Sequence, residues 1–499
     1  MEVLGLIMRN KIFIICVLFF SSSVVHAQLT TSGDAKNPFV KLREKFLIQY
    51  AEKLEKIAVE CDKLGLSEEA RVTRGWLAKH EHDKLRVAIL PRKVGESIPG
   101  DEAWAKQFMK LRKEAGMYLF EQSRKAVNAG HASLGFDLLM DSLREDPDHT
   151  AARKIVGFQE YQGEWCSAFD IQQLKNKNVK HPVYGWIPEN QVKNYEAGKR
   201  LLNGKLVTVR EDEIAHQSIL QGWVIETAHY RIMTNHSLEE GVKLGDELEK
   251  LYRVWKQLFL RYFATDKQVK DLFDGKTGAA TPAQKHKVYF FKSREEYNAA
   301  LRQKNPGIEM SVGLYHEGDK AAYFFAGPDY DPRTVFHEAT HQLFAEVRKT
   351  ILGVGDRGNY WVLEGIAMYM ETLVEEDGFY VLGGFSDTRM ISARHRYVSN
   401  YYYVQMELLC RMTTEQFQRN PNIHKLYAQS AGLVHFLVYA NDGEYRDALV
   451  EYLVRVYTGK ATPTTLPTLL KKTYAELDAE YEAFITRDKE ELNRWVIQE

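Results

Sequence analysis

Between residues 38 and 170, apolar side chains recur every three or four positions. Phe46, Tyr50, Leu54, Ile57 and Ala58 form one such run, and Phe108, Leu111, Met117, Leu119 and Phe120 another. That spacing lays a stripe along one side of a helix, so the pattern predicts an all-α N-terminal domain over 38–170. Residues 181–222 lose the period. His181-Pro182, Gly185, Pro188, Gly198 and Asn203-Gly204 mark turns, and the segment reads as a connector. Residues 223–227 and 229–234 then alternate as strands, and 238–262 carry Leu244, Leu248, Leu251, Trp255, Leu258 and Phe259 on one helical side. Residues 264–286 look like an insertion or loop. A strand at 287–291 and a helix at 293–301 follow. Val312–Tyr315 is expected to pair with Ala321–Phe325 across His316-Glu317-Gly318-Asp319. From Pro332 the pattern is again mostly helical, through a C-terminal helical region at 441–499.

Within the first region, Leu138, Leu139, Ser142 and Leu143 run into Asp146-Pro147-Asp148, and Ala151, Ile155 and Val156 open a new helix. The order of small Gly135, large Leu139, small Ser142 and Pro147 resembles one tetratricopeptide unit. No second copy follows at the expected period of about 34 residues, and an irregular helical domain fits equally well.

One segment carries chemistry: His337-Glu338-Ala339-Thr340-His341. Asp331-Pro332 and Thr334 supply a helix start, and Val335, Phe336, Ala339, Leu343 and Phe344 supply its apolar stripe. On a helix, residues four apart lie one turn apart on the same side, so two imidazoles there can share one tetrahedral zinc ion. Glu338, one position round, can take a proton from water at the open coordination position. Twenty-two residues separate His341 from Glu364, which interrupts the apolar helix of Trp361–Glu371. A carboxylate among Leu363, Ile366, Ala367 and Met370 needs a partner. Two His and one Glu leave the fourth position open, which is a catalytic rather than a closed structural site. Glu371, seven residues on, returns to the same side and can accept the outer N–H of a ligating His.

Composition narrows the class and the first residues set the compartment. The 499 residues balance 67 Lys+Arg against 68 Asp+Glu, which excludes nucleic-acid binding through bulk charge. Arg9 and Lys11, the apolar run Ile12–Phe20 and the small residues up to Ala27 read as a signal peptide over 1–27, cleaved before Gln28. A membrane anchor is the alternative, but the run is short for about 30 Å of hydrocarbon and a Ser/Thr-rich stretch follows. The mature chain is therefore expected to be exported, periplasmic or extracellular, without stable membrane insertion. Cys61, Cys166 and Cys410 remain after cleavage, too few and too scattered for a disulfide framework.

The pair HEATH and WVLEGIAMYME resembles the active-site helices of gluzincin zinc metallopeptidases, in the aminopeptidase-N-like branch. More loosely, residues 223–440 resemble the peptidase-MA-like domains of exported bacterial proteins. The resemblance implies an α+β fold in which a zincin-like domain, a small mixed sheet plus active-site helices, follows the helical N-terminal domain. It implies one Zn2+ per chain on His337, His341 and Glu364, with Glu338 as general base and Glu371 behind a ligand. It also implies that Ala321–Gly327 is an edge strand, so that Ala322, Tyr323, Phe324 and Phe325 receive an extended peptide by strand addition. In Leu426–Leu437, similar to the helix after the metal site in these families, Tyr427 is the first candidate for oxyanion stabilisation and His435 the second. Two departures count against carrying over aminopeptidase specificity: the ligand gap is longer, and no G-x-M-E-N-like motif lies upstream.

Other features read as structural. His80-Glu81-His82 places its rings on different helix sides. Asp274-Gly275-Lys276-Thr277-Gly278 lacks the strand and upstream Gly of a phosphate loop. His229, Tyr230, His395 and the run Tyr401-Tyr402-Tyr403 fit surface or packing roles as well as cleft roles. The leading expectation is a secreted zinc metallopeptidase acting on a peptide or protein. The alternatives are a zincin-like scaffold that recruits a protein partner through its helical domain, or a zinc hydrolase of a cell-envelope amide.

Overall fold

The computed structural model describes residues 37–77, 81, 83–276 and 284–487. The signal segment 1–27, His80, His82 and Thr277-Gly278 lie outside them. Two compact units divide at residue 80. In the first, α1 (Pro38–Lys63) begins on Asn37, whose side chain accepts the N–H of Phe39, and turns back into α2 (Ser67–Arg74). Tyr50, Leu54, Ile57 and Ala58 are buried, as their spacing requires. Arg74 of α2 reaches Glu55 and Asp62 of α1 at 3.0 and 2.6 Å.

The second unit opens with a strand. β1 (Lys84–Ala88) precedes α3 (Glu102–Asn128), α4 (Ala132–Glu145) and α5 (Thr150–Ile155). The region 38–170 is therefore not all-α. β1 is five residues long and pairs antiparallel with β14 (Phe379–Gly383), Arg86 opposite Val381. Its partner lies far downstream, so no local period announces it.

After α5 the chain builds three hairpins, each followed by a short helix: β2 (Gln159–Tyr161) and β3 (Glu164–Cys166) with α6 (Ala168–Lys175), β4 (Asn178–His181) and β5 (Gly185–Pro188) with α7 (Val192–Glu196), and β6 (Lys199–Leu202) and β7 (Lys205–Thr208) with α8 (Val209–Ala215). Ser167 and Thr208 close capping boxes on α6 and α8. The segment expected as a connector thus belongs to a repeated structure that starts before residue 181.

A five-stranded mixed sheet follows, from β8 (Trp223–Glu226), β9 (Tyr230–Thr234), β10 (His286–Phe291), β11 (Leu314–His316) and β12 (Ala321–Phe325). Its order is β11-β12-β10-β9-β8; β10 runs parallel to β9 and β12, and the two outer strands run antiparallel. Helix α9 (Leu238–Leu258) follows β9, a short α10 (Leu260–Phe263) comes after it, and α11 (Asp266–Phe273) occupies part of the expected insertion. Helix α12 (Arg294–Leu301) follows β10.

β12 is not an edge. Ala322 and Phe324 enter the main core, while Ala321, Tyr323 and Phe325 join a second cluster with Phe291 and Tyr297. Alternation puts successive side chains on opposite sheet faces. Both faces are covered, and β11 takes the outer hydrogen-bonding edge. Ala322, Tyr323, Phe324 and Phe325 are all buried, and the edge position expected of their strand belongs to β11 instead.

The helices α13 (Pro332–Glu346) and α14 (Tyr360–Met370), the strands β13 (Val374–Glu376) and β14, and then α15 (Thr388–Val398), α16 (Met406–Arg411), α17 (Thr414–Gln418), α18 (Ile423–Gly443), α19 (Arg446–Tyr457), α20 (Thr465–Leu470) and α21 (Tyr474–Ile485) complete the chain. The fold class is α+β, with helices predominating. One core runs from Val87 and Leu139 through Ile232 and Leu343 to Leu477 and Ile485. Among the described residues, no helix is long and apolar enough to cross a membrane.

Candidate metal centre

Asp331 accepts the N–H of Arg333 and Pro332 fills the first turn, so α13 starts one turn before the motif. Val335, Phe336, Ala339, Leu343 and Phe344 are buried, which turns the half-buried His337, Glu338 and His341 to the other side. α14 is buried along its whole length. It can lie so deep because α18 crosses it closely: a Cβ at Gly365 would come within 2.6 Å of the Ser430 carbonyl oxygen. That crossing brings Glu364 beside the histidines.

The Nε2 atoms of His337 and His341 are 3.2 Å apart, and His337 Nε2 lies 3.4 Å from Glu364 Oε2. His341 Nε2 is 3.8 Å from Glu364 Oε1. Ligands about 2.0–2.1 Å from a tetrahedral ion lie about 3.3–3.4 Å from one another, so this donor set fits zinc. His337 donates from Nδ1 to Glu371 Oε1 at 2.6 Å, which leaves the Nε2 lone pair facing the other donors. Burial opposes a charge on His337, yet hydrogen bonds to Glu364 and Glu371 hold its pKa well above the ordinary imidazole value. Burial lowers that of His341. Burial also opposes the Glu364 charge, but the His337 hydrogen bond and the two imidazoles hold its pKa down at about 2. Without an ion, the group is thus a carboxylate held between two rings, with the proton on His337 favoured by its two carboxylate partners.

Three neighbours escaped the sequence reading. Arg389, in the first turn of α15, donates from Nε and Nη2 to Glu371 Oε2 at 2.8 and 2.5 Å. Tyr360 donates its hydroxyl to Glu364 Oε1 at 2.6 Å, and Gln418 Nε2 donates to that same hydroxyl at 2.6 Å. Tyr360 stands four residues before Glu364, a spacing that was open to sequence reasoning. Arg389 and Gln418 arrive from other helices and left no signal.

Glu338 faces the edge strand: its Oε2 accepts the backbone N–H of Tyr315 at 2.7 Å. A Cβ at Gly313 would sit 2.7 Å from Thr334 Cγ2 and 3.3 Å from Glu338 Cγ, so a glycine there lets the strand pass over α13. Tyr427 is half-buried, edge-on to Phe417 at 5.3 Å, with its pKa raised by burial and by Glu364 and Glu338. His435 is elsewhere: its Nδ1 meets the Ala431 carbonyl at 2.9 Å and its ring packs on Tyr369 at 5.1 Å. His229 is tied to Glu249 at 2.8 Å and stacked on Tyr252, a structural role. Tyr401 is exposed, and Tyr403 donates to Asp478 at 2.6 Å.

No curated protein matches this chain. A family model described as "Protein of unknown function (DUF1570)" matches residues 331–461. That span begins on the residue that caps α13 and contains His337, Glu338, His341, Glu364, Glu371 and Tyr427.

Proposed function

We propose that the chain is a zinc-dependent metallopeptidase of gluzincin type, with a zincin-like domain at 223–440 that hydrolyses peptide bonds in an exported compartment. The observation that carries this reading is the convergence of two imidazole nitrogens and one carboxylate at tetrahedral ligand spacing. His337, His341 and Glu364 would hold the ion. Zinc bound there would polarise the scissile carbonyl and lower the pKa of water.

The chain's own groups supply the rest. Glu338 takes a proton from the attacking water and returns it to the leaving amine. Its carboxylate is anchored by the Tyr315 N–H, which sets its height above the histidines. β11, the edge strand, takes the place of β12 as the rail for an extended peptide. Tyr427 donates its hydroxyl to the developing oxyanion; its raised pKa keeps that proton in place at neutral pH.

Cleavage of a mixed peptide library by the purified mature chain tests the reading. Glu338→Gln should lower turnover by about 10²–10⁴-fold while keeping one zinc per chain, and His341→Ala should lose the metal. Wild type that folds without zinc, or full activity in Glu338→Gln, overturns it.

A further inference from the structure

A cavity of about 1370 Å³ lies within the second unit, between the α3–α5 helices, the first two hairpins, α9 and the tip of α11. None of the metal-centre residues lines it. Charged and apolar side chains share its walls, with Phe120, Phe136, Trp165 and Phe273 among the aromatic ones.

Charge is unevenly settled along those walls. The acidic side chains are occupied: Asp246 by Lys180 at 3.0 Å, Glu247 by Lys250 at 2.9 Å, Asp274 by Arg124 at 3.0 Å, and Glu249 by His229 and Thr227. Among the described residues, four lining cations have no carboxylate at ion-pair distance: Arg153, Arg253, Lys256 and the exposed Lys154. Arg153 is 1% exposed; its guanidinium donates to the carbonyls of Pro91 and Pro147 and lies 5.0 Å over Trp165. Among the described residues, Arg253, which is exposed, donates to the Tyr380 hydroxyl at 3.1 Å, and it stands close enough to Arg153 to oppose its charge. Lys256 is half-buried with no hydrogen-bond partner among the described residues, and its pKa is lowered by burial. Asp148 attracts Arg153 as well and Arg253 is exposed, so the wall offers a partly screened positive cluster that an anion can approach. A concave, partly aromatic space with a few convergent polar groups is what small-molecule sites share.

We propose that this cavity is a second ligand site, which takes an amphiphilic organic anion, its head on Arg153, Arg253 and Lys256 and its apolar body against Phe120, Phe136 and Trp165. The head is a carboxylate or a phosphoryl group, since guanidinium forks suit both.

Fluorescence titration of the mature chain with 8-anilinonaphthalene-1-sulfonate tests the site, with decanoate, decyl phosphate and decanol as competitors. The expected result is one saturable dye site per chain, displaced by decanoate or decyl phosphate, the stronger one identifying the head, and displaced poorly by decanol. Arg253→Gln with Lys256→Met should weaken the competing anion by about tenfold or more, the loss of one or two charged contacts, at unchanged melting temperature. Arg253→Gln alone, at an exposed position, keeps the test valid if the double variant fails to fold. Absence of saturable dye binding, displacement by decanol as strong as by the anions, or unchanged affinity in the folded variants overturns the proposal.

Discussion

Glu364 shows how much one buried carboxylate constrains its neighbours. One oxygen is spoken for by Tyr360, whose hydroxyl is in turn held by Gln418, so the other is aimed at His337. The chain Gln418–Tyr360 orients Glu364, and Arg389–Glu371 orients His337, the two side chains proposed as ligands. Groups of this kind typically change metal affinity by about 10–100-fold when removed. Tyr360→Phe should therefore weaken zinc binding by a factor in that range, read by competition with a chromophoric chelator, with little change in the circular dichroism spectrum. Unaltered affinity would show that packing alone aims the carboxylate. The two histidines, the adjacent glutamate and Glu364 were legible from spacing, because a helix repeats its face every four residues. Arg389 and Gln418 were not, because only the crossing of helices brings them in.

At the scale of elements, the site depends on two close approaches. β11 passes over α13 at Gly313, and α18 crosses α14 at Gly365. At the second, a methyl group would press on the Ser430 carbonyl and on Val434 Cγ2, 2.8 Å away. Gly365→Ala should therefore cost about 1–3 kcal/mol, the usual penalty of overfilling a packed interior. Thermal denaturation would read this, and the zinc affinity should fall with it, since α14 carries Glu364. A variant as stable as wild type would mean that α18 yields without consequence. The strand pattern was readable here: the hairpin of β11 and β12 joins Leu314 to Tyr323 and His316 to Ala321. Which strand is outermost was not readable, because a period of two is the same at the edge and in the middle of a sheet once both faces are covered.

In the whole molecule, division by composition gave way to a shared core. Residues 84–88 complete the sheet of β13 and β14, Ser133 of α4 donates to Asp447 at 2.8 Å, and Arg446 pairs with Asp137. Excising residues 223–440 would strip β14 of β1 and open apolar surface on both sides. That fragment should be insoluble or lack a cooperative melting transition, whereas 81–487 should melt cooperatively. Expression of both, followed by limited proteolysis, decides it. A stable, metal-binding 223–440 fragment would restore the independent domain.

The sequence alone determined what a local period can encode: the helical stripes of α1 and α9, that of α3 except for the exposed Met117, the start of α13 at Asp331-Pro332, and the positions of His337, His341 and Glu364 on two helices. A repeat of three, four or two positions reports which side of an element is apolar and which polar residues share a side. It does not report the partner across a long loop. Tertiary structure alone decided that β1 joins β14, that β11 and not β12 is the edge, and that Tyr360, Gln418 and Arg389 hold Glu364 and Glu371 in place. It also set Arg153, Arg253 and Lys256 along the wall of one cavity. Each of these depends on segments that are distant along the chain and meet only because one hydrophobic core buries them together.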